Sequence, residues 1–262
     1  MPILKLIILA LISTSCIMNV EAEDSFLNLD KKPKIAIVID DLGDNLIIAK
    51  KIIALQAKLT LGILPQTPQS KEIAELAYKQ GHEIILHLPM EAHTRPDLLG
   101  PGALYSSMSF DVFLKTFRDD IASIPYISGF NNHMGSLLTE DKLKMEWIMD
   151  EAKNHSLYFL DSKTSGNTIA KKIAIQKGIK SLNRDVFLDH STNRNNMMLQ
   201  LKHLKFIAKR NGQAVLICHP YPETLAFLQE SITLLDDEFK LVVLSELLEV
   251  GYEIDAQPSL AK

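Results

Sequence analysis

The stretch KIAIVIDDLG, from Lys34 to Gly43, decides the fold class. Its unbroken apolar run ends in two aspartates, and such a run is typical of a strand that is buried on both faces. Residues Leu46 to Leu55 then have helical spacing, and Leu59 to Leu64 are mostly apolar again. The beginning of the chain therefore predicts a strand, a helix and a second strand, which is the unit of a parallel sheet covered by helices.

The same alternation continues along nearly the whole chain. Further strands are predicted at Glu83–His87, Ile127–Asn131, Leu157–Leu160, Lys180–Leu188, Ala214–Cys218 and Leu241–Leu244. Helices are predicted between them, at Ser70–Gln80, Phe110–Ile124, Glu140–Asn154 and Met197–Arg210. Seven or eight such units fit a regular or distorted β/α barrel, and an open doubly wound sheet is the alternative.

Composition excludes some classes of partner. The 262 residues are 47% hydrophobic and 23% charged, with a formal net charge of -4, as in an ordinary globular protein with a full core. A mildly acidic chain has no electrostatic reason to bind nucleic acid or anionic lipid, because both require a basic surface. We therefore expect no nucleic-acid partner.

The first residues read as a targeting segment. Lys5 precedes an apolar run that ends near Val20, and small residues follow around a cleavage point after Ala22. The run is shorter than the ~20 residues that span a bilayer comfortably. This order predicts a cleavable signal peptide and hence a periplasmic or secreted protein with no other membrane contact. An uncleaved anchor, or a lipid on Cys16, are the alternatives.

The chain then divides into four parts. We predict a signal peptide at residues 1–22, a linker at 23–33, one catalytic domain at 34–250 and a tail at 251–262. Removal of the signal leaves Cys218 as the one cysteine, so the mature chain has no internal disulfide.

Polar residues fall where the predicted strands end. These residues are Asp40 and Asp41, His87, Asn131 to His133, Asp161 and Ser162, Asp189 and His190, and His219. In parallel α/β folds the carboxyl ends of the strands form the rim that binds ligands. Their convergence predicts an active or binding site at this rim.

The paired aspartates point to a cation. Two adjacent carboxylates repel each other unless a bound cation compensates them. One of them, Asp41, can bind the metal while Asp40 accepts a proton. The alternative is a structural role, in which Asp41 or Asp44 caps the helix that follows.

Two histidines are the candidate imidazole ligands. His87 and His133 each follow an apolar strand, and Glu91 is a third candidate. One carboxylate and two imidazoles leave coordination positions open, which is typical of a catalytic metal. Asp40 would take a proton from the attacking water and His219 would protonate a leaving amine, although His219 can also be a simple turn residue.

Five motifs, taken in order, resemble one known family. They are IVIDDLG (37–43), GHEIILH (81–87), NNHMGS (131–136), DS (161–162) and HPYP (219–222). This set is similar to the divergent polysaccharide deacetylases, a distant branch of the NodB-like carbohydrate esterases. The resemblance covers about Lys34 to Val250.

The resemblance implies a distorted seven-stranded parallel β/α barrel in a single domain, which removes N-acetyl groups from a polysaccharide. It assigns Asp40 as the base and Asp41, His87 and His133 as ligands of a divalent metal, with zinc expected. Glu91 stands where NodB-like enzymes have a second histidine, and their Arg-Pro motif is absent. A site with fewer imidazoles and more carboxylate favours a harder metal than zinc.

The resemblance also suggests supporting residues. Arg184 is expected either to orient the base or to form a structural ion pair, and Asp189 is grouped with it. Contact with the substrate or support of the metal ligands is predicted for Glu91, Asn132, Ser136, Asp161 and Ser162. We expect the loop from Glu91 to Ser109 to cover the cleft.

Three functions follow from these residues. The first is an exported metal-dependent hydrolase acting on carbohydrate, expected to deacetylate an envelope polysaccharide. The second is a catalytically inactive protein of the same fold that binds a glycan or a partner. The third is a metal-free glycosidase that uses two carboxylates, such as Asp40 and Asp161.

Overall fold

Strands and helices alternate throughout residues 32–248, the part of the chain that the computed structural model describes. The predicted signal peptide, most of the predicted linker and the predicted tail lie outside these residues. The strands are β1 (Lys34–Leu42), β2 (Thr60–Ile63), β3 (Glu83–Met90), β4 (Ile127–Met134), β5 (Tyr158–Asp161), β6 (Ser181–Asn183), β7 (Val186–Phe187), β8 (Gln213–Cys218) and β9 (Lys240–Val242). The helices are α1 (Leu46–Ile53), α2 (Ser70–Lys79), α3 (Phe110–Ser123), α4 (Lys142–Asn154), α5 (Ala170–Gln176), α6 (Arg194–Asn211) and α7 (Pro222–Glu238), and short 3₁₀ turns lie at Pro96–Leu98 and Leu138–Glu140.

All strand pairings are parallel and belong to one sheet. Its order is β6-β5-β4-β3-β2-β1-β8-β7, with β9 paired to the start of β1. The order never reverses on one side of a central strand, as it does in a doubly wound sheet. The prediction of a distorted parallel β/α barrel in a single domain is confirmed, and the doubly wound alternative is wrong.

The sheet has nine strands in the described residues, two more than the seven expected, because the predicted strand at Lys180–Leu188 is two strands and β9 joins the sheet beside β1. β6 pairs with β5 and β7 pairs with β8, at opposite ends of the sheet. Between them, the N–H of Arg184 bonds to the carbonyl of Asp161, and Asp185 bonds to Val215. The chain therefore crosses the gap in the curled sheet at these two residues.

Helix ends follow from local chemistry. The side chain of Asn45 accepts a hydrogen bond from the N–H of Ile48 and caps α1, so the predicted capping by Asp41 or Asp44 is wrong. Gly81 and Gly212 adopt left-handed φ angles of 81° and 77° just after α2 and α6, where a side chain would be strained. No helix of residues 32–248 is long and apolar enough to cross a membrane.

Two apolar layers cover the sheet. The larger layer lies between the strands and the helices and includes Ile35, Ile37 and Ile39 of β1. The smaller layer fills the concave face with Ala36 and Val38 of β1 and their neighbours on β3, β5 and β8. Odd and even residues of β1 thus serve opposite faces, which fixes where its polar end points.

Candidate metal centre

The two-residue repeat of the strands carries polar side chains to the top of the concave face. On β1, Val38 belongs to the inner apolar layer and Asp40 is the next residue on that face. The same step brings polar groups from β1, β3, β4 and the end of β8, namely Asp40, His87, Asn131, His133 and His219. A polar layer therefore closes the top of the apolar interior.

Asp41 reaches this layer by an unusual backbone conformation. By alternation it would point away from Asp40, but its φ of 56° lies in the left-handed region. The β1–β2 register also shifts between Ile39 and Leu42. Met134 and Lys163, at the ends of β4 and β5, have similar φ angles of 54° and 51°. Such strain costs roughly 1–3 kcal/mol per residue and clusters at functional sites.

Three potential ligand atoms converge on one point. Asp41 Oδ1 lies 3.0 Å from His87 Nε2 and 2.9 Å from His133 Nδ1. The two nitrogens are 3.1 Å apart. Asp41 Oδ1 is buried and lacks a well-formed hydrogen bond. Burial opposes charge on His87, but Asp40 and Asp41 raise its pKa to about 9, so the cluster attracts positive charge.

This donor set fits a divalent cation. Ligands about 2.0–2.1 Å from a tetrahedral metal lie about 3.3 Å from one another, close to the separations in the cluster. The other ring nitrogens already have partners, since His87 Nδ1 is 2.8 Å from Asn131 Oδ1 and His133 Nε2 is 3.2 Å from the carbonyl of Leu98. Asp41, His87 and His133 can therefore hold a metal, and they are the one such group in the described residues. The identity of the metal stays a prediction.

Asp40 is held beside this cluster by its surroundings. Its carboxylate is buried and accepts two hydrogen bonds from Asn131 Nδ2, at 3.0 and 2.8 Å. Gly62 of β2 makes room for it, since a Cβ there would lie 2.1 Å from Asp40 Oδ1. Burial raises the pKa of Asp40 despite the nearby imidazoles of His87 and His219. A fixed carboxylate with a raised pKa suits proton transfer.

His219 faces the cluster from the end of β8, the strand next to β1. Its Nδ1 lies 3.0 Å from Asp189 Oδ1, and its Nε2 lies 3.9 Å from Asp41 Oδ2. A carboxylate only accepts, so Nδ1 carries the proton in this pair. Burial opposes charge on His219, but the hydrogen bond to Asp189 raises the pKa of the imidazole. Thr224 donates a further hydrogen bond to Asp189 and fixes it behind His219.

Arg184 and Asp189 do not act together as expected. Arg184 donates to the carbonyls of Ser162 and Lys163, at 2.7 and 3.1 Å, and forms no ion pair with a carboxylate of the described residues. The backbone turn after β5 offers these acceptors directly, so neither the orientation of Asp40 by a hydrogen bond nor a structural ion pair is present. Asp189 instead supports His219.

Glu91 and Ser136 hold loops at the edge of the cleft. Glu91 Oε2 accepts a hydrogen bond from the N–H of Ser106, so this carboxylate is not part of the ligand cluster. Ser136 Oγ accepts from the N–H of His93. We call residues 91–109 the rim loop. The carbonyl of Leu98 contacts His133, so the rim loop lies beside the site. None of its residues lines the cleft, and its covering of the cleft stays a prediction.

Asn132, Asp161 and Ser162 support the ends of β4 and β5. Asn132 accepts from the N–H of Ser162 and donates to the carbonyl of Met134. Asp161 is buried, and its oxygens accept from the N–H of Lys163 and from a threonine hydroxyl. With both oxygens used by its own loop and no surface on the cleft, Asp161 is unsuited to be the second carboxylate of a glycosidase.

The cleft above these residues has a volume of about 370 Å³, within the range of about 300–1,000 Å³ of small-molecule sites. It is lined by Asp40, Asp41, His87, Asn132, His133, Ser162, Arg184 and His219, together with Lys163, Thr164 and Phe187. A larger groove of about 790 Å³ lies beside the amino-terminal ends of β2 and β3, but lysine, glutamine and aliphatic residues line most of it. Its one histidine, His82, has both ring nitrogens on backbone groups. The smaller cleft is therefore the candidate site.

Two residues of the site were missed from the sequence. Asn131 stands at a predicted strand end with no predicted role, although it contacts both Asp40 and His87. Its signal was the register, because Asn131 and His133 share a face and Asn131 pairs directly with His87 across β3 and β4. Gly62 carries no side-chain signal, and only the packed structure shows why it is glycine.

Known proteins match most of the chain. A family model described as divergent polysaccharide deacetylase matches residues 37–248. The uncharacterized protein YibQ of Escherichia coli strain K12 is 37% identical over 215 residues, which cover 82% of this chain and 67% of YibQ. An uncharacterized protein of Haemophilus influenzae is 34% identical over 220 residues, covering 82% of this chain and 76% of that protein.

A solved structure supports the same relationship. The crystal structure of the uncharacterized protein ATU2773 from Agrobacterium tumefaciens C58 superposes with a TM-score of 0.78 at 26% identity. The similarity covers 83% of this chain and 89% of that one. Both the sequence match and the shared parallel barrel agree with the motifs from Ile37 onward. The protein therefore belongs to the divergent polysaccharide deacetylase family.

Proposed function

We propose that this protein is an exported, metal-dependent hydrolase that removes N-acetyl groups from an envelope polysaccharide, with zinc as its metal. The observation that carries the proposal is the convergence of Asp41 Oδ1, His87 Nε2 and His133 Nδ1, within about 3 Å of one another. Membership in the family supports a carbohydrate as the substrate. The proposed export rests on the residues before Ala22.

The arrangement accounts for the two proton transfers that the reaction needs. Amide hydrolysis joins the oxygen of water to the acetyl carbon and breaks the bond between that carbon and nitrogen. A cation held by Asp41, His87 and His133 would polarise the acetyl carbonyl and acidify water. Asp40 accepts one proton of the water, and His219 gives a proton to the nitrogen, which leaves as an amine beside free acetate.

The surroundings of the two catalytic groups suit these opposite roles. Asp40 accepts hydrogen bonds from the Asn131 amide on both oxygens, which suits the ionised form that a base needs. His219 has its Nδ1 proton fixed by Asp189, so its Nε2 is the nitrogen that faces the cleft. Asp40 on β1 and His219 at the end of the neighbouring strand β8 both line the cleft that would receive the acetyl group.

The test is elemental analysis of the purified protein, followed by measurement of acetate released from N-acetylated oligosaccharides. We expect about one zinc per chain and acetate release that a chelator abolishes and zinc restores. Asp41→Ala should lose the metal and the activity, whereas Asp40→Asn should keep its fold and lose the activity.

Two results would contradict the proposal in different ways. A protein that binds no divalent ion would refute the metal centre. A protein that binds zinc tightly but releases no acetate from any acetylated glycan would instead support the inactive glycan- or partner-binding protein of the same fold.

A further inference from the structure

Asn131 makes an unusual set of contacts at the centre of the site. Its side chain is fully buried. Its Nδ2 lies 3.0 and 2.8 Å from the two oxygens of Asp40 and 3.2 Å from Ser162 Oγ. Its Oδ1 lies 2.8 Å from His87 Nδ1. One amide thus touches both the candidate base and a candidate metal ligand.

The chemistry of these neighbours determines which way the Asn131 amide faces and which nitrogen of His87 donates to it. An ionised carboxylate only accepts, so the NH₂ group of Asn131 must face Asp40. The amide oxygen then faces His87 and can only accept, so His87 carries its proton on Nδ1. A bound cation would then replace the proton on Nε2, the nitrogen that points at Asp41 and His133.

No other residue type of this size can make both contacts. Arginine and lysine offer donors but no acceptor, and an ionised aspartate offers acceptors but no donor. Leucine has a similar shape and neither group. Glutamine has the right groups on a longer side chain, which the packed interior leaves no room for.

The curl of the sheet makes the double contact possible. Asn131 and His87 are direct partners on the neighbouring strands β4 and β3. Asp40 lies on β1, with β2 and β3 between it and Asn131 in the sheet. Its carboxylate reaches Asn131 because Gly62 on β2 leaves the intervening space open.

We propose that Asn131 is a positioning residue that couples the two halves of the site, holding the carboxylate of Asp40 in place and fixing the tautomer of His87 that can bind a cation. The proposal rests on the proposed metal-dependent function. It assigns to a neutral amide two tasks, supporting a ligand and orienting the base, that Arg184 and Asp189 do not perform.

Asn131→Leu tests both tasks together, because it leaves Asp40 without its donor and His87 without its acceptor. Residues that support a metal-bound histidine are typically worth about 10–100-fold in metal affinity. We expect zinc affinity, measured by competition with a chromogenic chelator, to fall by about that factor. The visible spectrum of the protein loaded with Co²⁺ should also change, and kcat should fall with little change in KM.

Asn131→Asp separates the two tasks. An aspartate can still accept the proton of His87 Nδ1, but it cannot donate to Asp40 and it adds a second negative charge beside that base. We expect zinc affinity and the Co²⁺ spectrum to stay close to those of the wild type while acetate release is lost. A merely structural role of Asn131 predicts a different pattern: lower thermal stability in both variants, with the zinc affinity of the folded protein unchanged in Asn131→Leu as well as in Asn131→Asp.

Each outcome decides one part of the proposal. Wild-type zinc affinity in Asn131→Leu overturns the role toward His87, and wild-type turnover in Asn131→Asp overturns the role toward Asp40. If the wild type binds zinc but releases no acetate, the proposed deacetylation fails and the role toward Asp40 falls with it, while the zinc comparison still decides the role toward His87. If the wild type binds neither zinc nor Co²⁺, both proposals are overturned.

Discussion

A single methyl group at Gly62 should displace the base without touching the metal ligands. A Cβ added there would lie 2.1 Å from Asp40 Oδ1 and 3.2 Å from its Cγ. Real Cβ contacts essentially never fall below 3.0 Å, so the carboxylate oxygen or the strand must move by about 0.9 Å. Because Asn131 clamps both oxygens of Asp40, this movement must lengthen or break at least one of two hydrogen bonds.

The size of the effect follows from that displacement. Misplacing a reacting group by about 1 Å can cost about 100-fold in rate. Overpacking a closed interior costs about 1–3 kcal/mol of unfolding free energy. We therefore expect Gly62→Ala to lower kcat about 100-fold and to fold at moderately reduced stability. Zinc affinity should be unchanged, since the three atoms nearest to the added Cβ all belong to Asp40 and none to a metal ligand.

The assay combines acetate release, urea unfolding and chelator competition on the same preparation. Gly166→Ala is the matched control, because a Cβ at Gly166 has no neighbour within 4 Å. That control should stay within about 0.5 kcal/mol of the wild type and keep its full turnover. Wild-type kcat in Gly62→Ala would refute the argument that Asp40 must occupy this space.

Further variants test other parts of the structure. Asp189→Asn should lower kcat by at least about 100-fold with zinc affinity retained, because His219 loses the carboxylate that orients it. The loss of kcat should be smaller on an acetate ester whose leaving group needs no proton. Equal losses on both substrates would contradict the role of His219 as a proton donor. Burial raises the pKa of Asp120 from 3.8 to about 8, so its folded form keeps a proton that the unfolded chain releases near pH 4. The unfolding free energy should therefore fall as the pH rises from about 4 to 8, by up to about 1.4 kcal/mol per pH unit. The wild type and the exposed control Asp119→Asn should show this fall, and Asp120→Asn should not. Parallel curves for all three proteins would rule out the raised pKa of Asp120. Glu91→Ala removes the acceptor of the hydrogen bond from Ser106, so it should raise KM and speed proteolysis of the rim loop, with unchanged zinc affinity. A loop as resistant to protease as in the wild type would argue against a role of Glu91 in holding it.

Much of the fold can be predicted from the sequence, because most strands are simple apolar runs. The run before Asp40 predicts both a strand and a buried location, but because the run is apolar on both faces it does not show which face Asp40 occupies. The residues at which strands end are harder to predict. β4 continues to Met134, beyond the predicted end at Asn131, because its polar residues still pair with β3 along the inner face. From sequence alone, a polar residue in a strand predicts that the strand ends there, even where the residue lines a cleft.

The sequence predicts many of the residues of the site but few of the contacts that they make. Asp41, His87 and His133 stand at strand ends in the sequence, and the structure brings them together. The left-handed backbone that turns Asp41 inward has only a weak sequence signal, since aspartate adopts that conformation more often than most residues but still uncommonly. Arg184 suggested an ion pair, but backbone carbonyls from a distant turn bind it. Such contacts depend on how separate segments meet, which local patterns do not encode.

The measurement that tests the account most directly is the zinc content of the wild type and of Asp41→Asn, His87→Ala and His133→Ala, each shown to be folded. The account predicts about one tightly bound zinc per wild-type chain and a large loss of affinity in each variant. A wild type that binds no divalent ion, or variants that keep wild-type affinity, would contradict it.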